Sequence, residues 1–194
     1  MIPIKLNLGC GSKTISGWVN VDIDNTFEPD LIHDLEVTPW PFEDHCADEV
    51  AMYHILEHLG QDSRLFLTIM AELYRICQDG AVIHIDAPDP RHDSFIGDPT
   101  HVRPITPWLL GLFDYQNCRF WQETGAANTP LAMYINVDFE IVKTTYVPDE
   151  RFSEMVQSGE VTLDELMKLS KRELNVFSEY QMKLRVHKPI RKAT

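Results

Sequence analysis

The amino-acid sequence predicts an α/β fold built on a seven-stranded, mostly parallel sheet. Seven short segments show the alternating or continuous apolar pattern of strands. Between the fourth and fifth of them, residues 61–77 carry apolar side chains at intervals of three and four, as in an amphipathic helix. Strands that alternate with helical or loop crossovers favour a parallel sheet covered on both faces, a three-layer α/β/α arrangement. The chain of 194 residues is long enough for one domain with a substantial core, and we expect a single domain over residues 1–194.

The boundaries of the elements follow from local signals. Asp62 or Ser63 can cap the start of the predicted helix, and Asp79-Gly80 closes its end. A stretch rich in Pro, Asp and His at residues 87–107 predicts a long surface loop, and loops of this length are often functional. The strands are expected at residues 4–8, 18–22, 30–33, 47–53, 80–86, 139–146 and 180–186. Between and beside them we expect a loop or insertion at about 87–136, helical at 107–115 and irregular or a hairpin at 120–136, and a polar helix at 162–174.

The charge of the chain is negative and unevenly distributed. The formal net charge is −13, and residues 1–100 hold 18 acids against 5 Lys and Arg, whereas residues 101–194 hold 12 of each. Because affinity for nucleic acid rests mainly on Lys and Arg contacts to phosphate, this balance argues against a nucleic-acid partner. A basic cluster occurs near the end of the chain, and we interpret it as a solvated strand and tail. Its members are Lys183, Arg185, Lys188, Arg191 and Lys192.

Cysteine usage and hydropathy indicate a cytoplasmic protein. The four cysteines are scattered without CxxC spacing, which favours reduced thiols over disulfides or a structural zinc site. No apolar run has the eighteen or so residues of a membrane span, and the N-terminal residues lack the pattern of a signal peptide.

A glycine-rich turn directly follows the first predicted strand. Gly9-x-Gly11 lets the backbone approach a ligand closely, and Asp22 ends the next strand, where it can accept hydrogen bonds from ribose hydroxyls. A tight turn and a cap are the alternative interpretations of these residues. Asp22 follows Gly11 by only eleven positions, which leaves little room for a helix that could hold a pyrophosphate. The spacing therefore favours a nucleoside cofactor without phosphates over NAD or FAD.

The order of the motifs resembles class I S-adenosylmethionine-dependent methyltransferases, in particular the methyltransferase type 11 group. That resemblance implies a Rossmann-like sheet whose last strand is antiparallel to the rest. It covers residues 4–89 well and 139–188 loosely. The motifs that carry it are Leu6-Asn7-Leu8-Gly9-Cys10-Gly11-Ser12, Gly17-Trp18-Val19-Asn20-Val21-Asp22, Asp34-Leu35, His54-Ile55-Leu56-Glu57-His58-Leu59 and Gly80-Ala81-Val82-Ile83-His84-Ile85.

The resemblance also implies S-adenosylmethionine as cofactor and a set of contacts to it. Asp22 would hold the ribose, and His54 would face the sulfonium end. Asp34 and Leu35 would contact the adenine. The residues expected beneath the methionine moiety are Asn7, Gly9, Cys10 and Gly11. Two features depart from the family pattern: the first motif has two glycines where many members have three, and the first crossover helix is nearly absent.

Methyl transfer to an oxygen or nitrogen acceptor also requires loss of a proton from the acceptor. Histidine suits this task near neutral pH, and we nominate His54 or His101 as the base. Arg91, Asp98 and Arg103 are candidate groups for binding a small-molecule or glycan-type acceptor. The alternative is that these side chains only brace the loop.

No metal is assigned from the sequence. His54 and His58 are spaced at i and i+4, but the segment lacks the HExxH pattern, and a packed turn is the preferred interpretation. A second set, His92, Asp93, Asp98 and His101, has ligand-type side chains without a defining spacing. Two other functions stay open: a catalytically silent S-adenosylmethionine-binding or protein-interaction module of the same fold, and a dinucleotide oxidoreductase, which the short first crossover disfavours. The acceptor and the oligomeric state are not determined by the sequence.

Overall fold

The computed structural model describes residues 4–192, and its seven strands form one sheet in the order β3-β2-β1-β4-β5-β7-β6. β7 runs antiparallel to both of its neighbours, whereas the first five strands pair in parallel. The mostly parallel sheet with an antiparallel last strand is therefore confirmed. The strands are β1 (Ile4–Leu8), β2 (Val19–Asp22), β3 (Leu31–Ile32), β4 (Ala47–Tyr53), β5 (Cys77–Pro88), β6 (Phe139–Pro148) and β7 (Phe177–Val186).

The predicted amphipathic helix is confirmed as α1 (Ser63–Ile76), whose first turn is capped by the side chain of Asp62. Asp79-Gly80 does not close it, because the helix ends at Ile76 and these two residues lie within β5. The prediction for residues 120–136 is wrong, because that stretch holds the second half of α4 (Tyr115–Thr124) and all of α5 (Leu131–Ile135). Asp114 caps α4, and Pro130 precedes α5, which is too short for its apolar spacing to show in the sequence. The remaining helices are α2 (Asp93–Ile96), α3 (Pro107–Gly111), α4 (Tyr115–Thr124), α5 (Leu131–Ile135), α6 (Glu150–Ser158) and α7 (Leu163–Leu169).

The main core lies on one face of the sheet. Alternate side chains of β1, β4 and β5 point into it, where they meet the apolar stripe of α1. Residues of the predicted loop region 87–136 complete this core. Fully buried members from that region are Ile105, Leu110, Phe113, Cys118 and Ala132. The region is therefore part of the packed structure, and only residues 90–104 of it form a largely irregular segment without a buried residue.

The opposite face of the sheet is polar and partly open. The register aligns Lys5 with Glu49, and His84 of the next strand lies on the same face, where Glu49 contacts both Lys5 (2.7 Å) and His84 (3.0 Å). Among residues 4–62 the structure contains no α-helix, because the crossovers after β1, β2 and β3 are short. The helical layer that these crossovers would supply is accordingly reduced.

Two members of the basic cluster, Lys188 and Arg191, are held by the protein, contrary to the expectation of a solvated tail, whereas Arg185 and Lys192 are exposed as expected. The Lys188 ammonium donates hydrogen bonds to the carbonyl oxygens of Arg75 and Cys77. Arg191 forms a salt bridge with Asp138 at 2.7 Å, and a second with Asp114 at 3.0 Å. Within residues 4–192, no helix is long and apolar enough to cross a membrane.

Candidate functional site

The turn after β1 is shaped by its two glycines. Gly9 and Gly11 have φ values of 67° and 48°, in the left-handed region that glycine occupies without strain. The backbone N–H groups of Gly9 and Cys10 both donate to the carbonyl of Val21, which ties the turn to the end of β2. A Cβ on Gly9 would lie 2.3 Å from Cγ1 of Ile55, whereas a Cβ on Gly11 would meet no atom within 4 Å. Gly9 is therefore required for packing, and Gly11 leaves open space above the turn.

Asp22 lies at the carboxyl end of β2 and faces this turn. Its Oδ2 accepts the N–H of Gly11 (2.7 Å), and its Oδ1 accepts the N–H of Asp24 (2.9 Å). Each carboxylate oxygen has further acceptor capacity, so hydrogen bonds from ligand hydroxyls are compatible with this bracing. The carboxylate thus both shapes the turn and presents acceptors to the space beside it.

The family resemblance implies that Asn7 lies beneath the methionine moiety of the cofactor, but in the structure Asn7 is buried behind the turn. Its side chain is 2% exposed, and its amide donates to the carbonyl of Lys13 and to Oδ1 of Asn20. Asn20 in turn accepts the N–H of Ile15 and donates to Asp30. Asn7 therefore braces the turn from inside, and its partner Asn20 was not among the predicted site residues. The sequence feature that could have indicated Asn20 is an amide side chain between two valines of a predicted strand.

A small cleft joins the turn to the segment after β3. It encloses about 60 Å³, less than the roughly 300–1,000 Å³ typical of small-molecule sites, so it can hold only one end of a cofactor. Leu35 is buried at its base, and the carboxylate of Asp34 accepts the N–H of Glu36. The predicted residues Gly9, Asp22, Asp34 and Leu35 therefore meet around one cleft. Its lining is Gly9, Asp22, Ile23, His33, Asp34, Leu35, Ile55 and Leu59.

His54 follows β4 at a positive φ of 53° and lies between two carboxylates. Its Nε2 is 3.0 Å from Oε2 of Glu179, and its Nδ1 is 3.5 Å from Oε1 of Glu57. The Glu57 carboxylate raises the pKa of His54 against the opposing effect of burial, and Glu179 raises it further. His54 is thus a more basic imidazole than a free one, oriented mainly by its shorter contact to Glu179.

The other predicted acceptor residues lie along the segment after β5. Arg91 is exposed and bonds the carbonyl of Glu173, and Asp98 accepts the N–H and the hydroxyl of Thr100. Arg103 instead packs over the ring of Phe66, with its Cζ 4.2 Å from the ring centroid. Arg91 and Asp98 are accordingly available to a ligand, whereas Arg103 serves as a brace.

The histidines of this segment separate in space. His92 bonds Asp149 (3.0 Å) and Ser94 (2.7 Å), away from the other predicted residues of its set. His101 is 8% exposed and its ring lies 4.6 Å from that of His58, measured between centroids. His92, Asp93, Asp98 and His101 therefore do not form one cluster, and residues 54–58 form a turn ending in a 3-10 helix, as preferred from the sequence.

Comparison with known proteins gives a clear result for the fold. No family model and no curated protein match the sequence. A solved S-adenosylmethionine-dependent methyltransferase from Archaeoglobus fulgidus is similar, with a TM-score of 0.56 and 19% identity over 95% of this chain and 86% of that one. A 16S rRNA adenine-1408 methyltransferase variant from Catenulisporales acidiphilia, solved with its cosubstrate, has a TM-score of 0.51 and 15% identity, with 99% and 88% covered.

A third solved structure shows that this fold is not restricted to methyl transfer. The [4+2]-cyclase SpnF has a TM-score of 0.52 and 12% identity, over 96% of this chain and 76% of the cyclase. At these identities the comparisons establish the fold. The chain has the Rossmann-like fold of class I S-adenosylmethionine-dependent methyltransferases, and its activity has to be argued from the site.

Proposed function

We propose that this protein is an S-adenosylmethionine-dependent methyltransferase that acts on an oxygen or nitrogen atom of a small-molecule or glycan-type acceptor. The observation that carries the proposal is the corner where Gly11 and Asp22 meet. There an open glycine turn and a carboxylate lie beside a cleft lined by Asp34 and Leu35. A nucleoside with a charged aliphatic arm fits this arrangement, with its ribose at Asp22 and its base in the cleft.

The same corner disfavours a dinucleotide. Residues 9–18 join β1 to β2 without an α-helix, so no helix N-terminus is present at the turn to hold a pyrophosphate. Gly9, Cys10 and Gly11 would instead lie beneath the methionine arm, with Asn7 and Asn20 holding the turn in shape. The cofactor, when bound, supplies an electrophilic methyl group.

The protein's own contribution to the reaction would be alignment of the acceptor and removal of its proton. His54 is placed for this role at the end of β4, with Glu179 orienting the ring through Nε2. Its Nδ1 makes only a 3.5 Å contact to Glu57, so that nitrogen is the one that can turn toward an acceptor. His101 is the second candidate base named from the sequence, and one of its ring nitrogens lies within 4.8 Å of a carboxylate oxygen of Glu57.

The charges around His54 bear on the choice of acceptor. Glu57, Asp86 and Glu179 all act on this histidine, so the region is rich in carboxylates. Such surroundings repel phosphate and favour neutral or cationic acceptors. Arg91 and Asp98, which are accessible on the neighbouring segment, are proposed to bind the acceptor.

Calorimetric titration tests the cofactor assignment. We expect the full chain to bind S-adenosylmethionine and to show no comparable binding of NAD. A folded chain that binds NAD but not S-adenosylmethionine would contradict the proposal.

A catalytically silent cofactor-binding module is the second candidate function. It stays open because the fold by itself does not imply methyl transfer, as the similar fold of a [4+2]-cyclase illustrates. Transfer of labelled methyl groups to a panel of hydroxyl and amine acceptors distinguishes the two candidates. Binding without transfer to any acceptor favours the module, whereas transfer that depends on His54 favours the enzyme.

A further inference from the structure

A fully buried carboxylate without hydrogen-bond donors lies beside the proposed active site. Glu57 has no exposed surface, and neither of its carboxylate oxygens receives a hydrogen bond from any residue in the described range 4–192. Its closest charged neighbour is Nδ1 of His54 at 3.5 Å, at the outer limit of a hydrogen bond. A carboxylate removed from water in this way requires a partner that compensates for lost hydration.

Two imidazoles lie next to this carboxylate. One ligand atom each from Glu57, His58 and His101 lies within 4.8 Å of the others. His101 comes from a segment more than forty residues away along the chain. It is held in place because the N–H groups of Val102 and Arg103 both donate to the carbonyl oxygen of Glu57.

Hydrogen bonds hold Nδ1 of both histidines, and Nε2 of His101 has only a long contact, 3.8 Å, to Oδ2 of Asp98. Nδ1 of His101 is 3.0 Å from the carbonyl oxygen of Phe95, which can only accept, so Nδ1 carries the proton. The Thr100 hydroxyl donates to Asp98 (2.6 Å) and therefore accepts from Nδ1 of His58 (3.0 Å). In each ring Nε2 is left with a lone pair. Metal-binding histidines commonly have their second nitrogen held in this way by a carbonyl or carboxylate.

We propose that Glu57, His58 and His101 bind a divalent first-row transition-metal ion, with one carboxylate and two imidazoles as protein ligands. This donor set suits Zn²⁺ or a similar ion better than Mg²⁺ or Ca²⁺, which prefer oxygen ligands. Bond lengths of about 2.0–2.2 Å require the donor atoms to move closer by up to about 1 Å on binding. Three protein ligands also leave at least one coordination position for water or a substrate oxygen.

The site is distinct from the cofactor cleft, and the inference does not depend on methyl transfer. It therefore has a test that needs no activity. The full chain, free of any affinity tag and stripped with a chelator, is titrated with Co²⁺ while visible absorption is recorded. We expect one Co²⁺ per chain in a low-symmetry site, displaced by Zn²⁺ and not by Mg²⁺ at equal concentration.

Variants assign the ligands. Glu57→Gln and His101→Ala are each expected to weaken Co²⁺ binding at least roughly 100-fold, beyond the roughly 10–100-fold that changes outside the ligand shell cost. His84→Gln removes a histidine that is likewise paired with a glutamate, on the open face of the sheet, and should leave the affinity unchanged. If His101→Ala does not fold, Thr100→Val retains every ligand and is expected to weaken binding by roughly 10–100-fold.

Two results would overturn the proposal: Co²⁺ binding no tighter than Mg²⁺ binding, or equal affinity in the wild type and in folded Glu57→Gln. Loss of binding in the His84→Gln control would also overturn it, because the metal would then lie elsewhere on this acidic chain. If S-adenosylmethionine does not bind, that result contradicts the proposed function and leaves the metal-binding result intact.

Discussion

At the scale of single residues, the candidate site depends on a few positions with two roles each. Gly9 adopts a left-handed conformation and also leaves room for Ile55. Asp22 braces the turn through Gly11 and also presents its carboxylate to the cleft. Because the same atoms shape the turn and line the cleft, a substitution at these positions can affect both folding and binding. Tests at these positions therefore need controls for folding.

Replacement of Asp22 by Ala is expected to weaken S-adenosylmethionine binding by about 1–3 kcal/mol, the cost of leaving polar partners unmatched. Asp24→Ala is the matched control, since Asp24 only caps the short 3-10 helix that follows β2. Calorimetry on both variants, with thermal unfolding to establish that they fold, measures the difference. Equal affinities for the wild type and Asp22→Ala would show that the ribose lies elsewhere.

Replacement of His54 by Gln is expected to lower kcat by roughly 10²–10⁴-fold, the usual contribution of a general base, with little change in cofactor affinity. The expectation follows from its position between Glu57 and Glu179. His84→Gln breaks a similar histidine–glutamate pair and should retain activity. If His54→Gln retains activity, His54 is not the general base, and His101 is the next candidate to test.

At the scale of elements, Arg191, in the segment after β7, anchors the start of β6. Asp138 is fully buried, and Arg191 donates to both of its carboxylate oxygens through its guanidinium, while the N–H of Tyr115 donates to Oδ1. Burial alone would raise the pKa of Asp138, but the hydrogen bonds from Arg191 and Tyr115 outweigh it and lower the pKa below the ordinary value. The ion pair thus links α4, β6 and the chain end.

Asp138→Asn is expected to reduce the free energy of unfolding by about 3–5 kcal/mol at neutral pH, because it removes the fully buried counterion of the Arg191 guanidinium and leaves Asp114 as its nearest carboxylate. The carboxylate is more acidic in the folded chain than its unfolded value of about 3.9. Its stabilising contribution is therefore complete above about pH 4 and is lost as the pH falls through the folded pKa. Urea unfolding at a series of pH values should show the gap between wild type and variant closing only below about pH 4.

The matched control for this ion pair is Asp44→Asn. Asp44 also pairs with an arginine, at 2.6 Å from Arg75, but its side chain is 66% exposed. Exposed pairs contribute only about 0–1 kcal/mol, so this variant should be close to the wild type. A loss of similar size in both variants would contradict the role given to burial.

At the scale of the whole molecule, all four cysteines are free and buried. Burial raises the pKa of each thiol, and that of Cys77 to about 12, so little reactive thiolate forms near neutral pH. We expect slow reaction of the native chain with a thiol reagent and fast reaction of all four thiols in denaturant. Rapid stoichiometric labelling of the folded protein would contradict this prediction.

Much of the architecture could be predicted from local pattern. Burial is directly visible in the alternating pattern of β1 and β4. It is also visible in the spacing of Leu65, Ile69 and Leu73 in α1. These elements were therefore predicted within a few residues. The helices between residues 115 and 135 were not, because α5 is only five residues long and α4 is largely polar. For such segments tertiary packing, and not periodicity, decides the conformation.

What the sequence by itself determined is the order of the strands along the chain, the glycine turn and its short spacing to Asp22. These are local properties, since each depends on residues within one or two adjoining elements. Only the tertiary structure decided which distant side chains meet: Ile55 against Gly9, Glu179 against His54, and His101 beside Glu57. Gly9 and Ile55 meet because the parallel strands β1 and β4 bring their carboxyl ends to one edge of the sheet, and Glu179 reaches that edge near the start of the antiparallel β7. No spacing along the chain records such proximity.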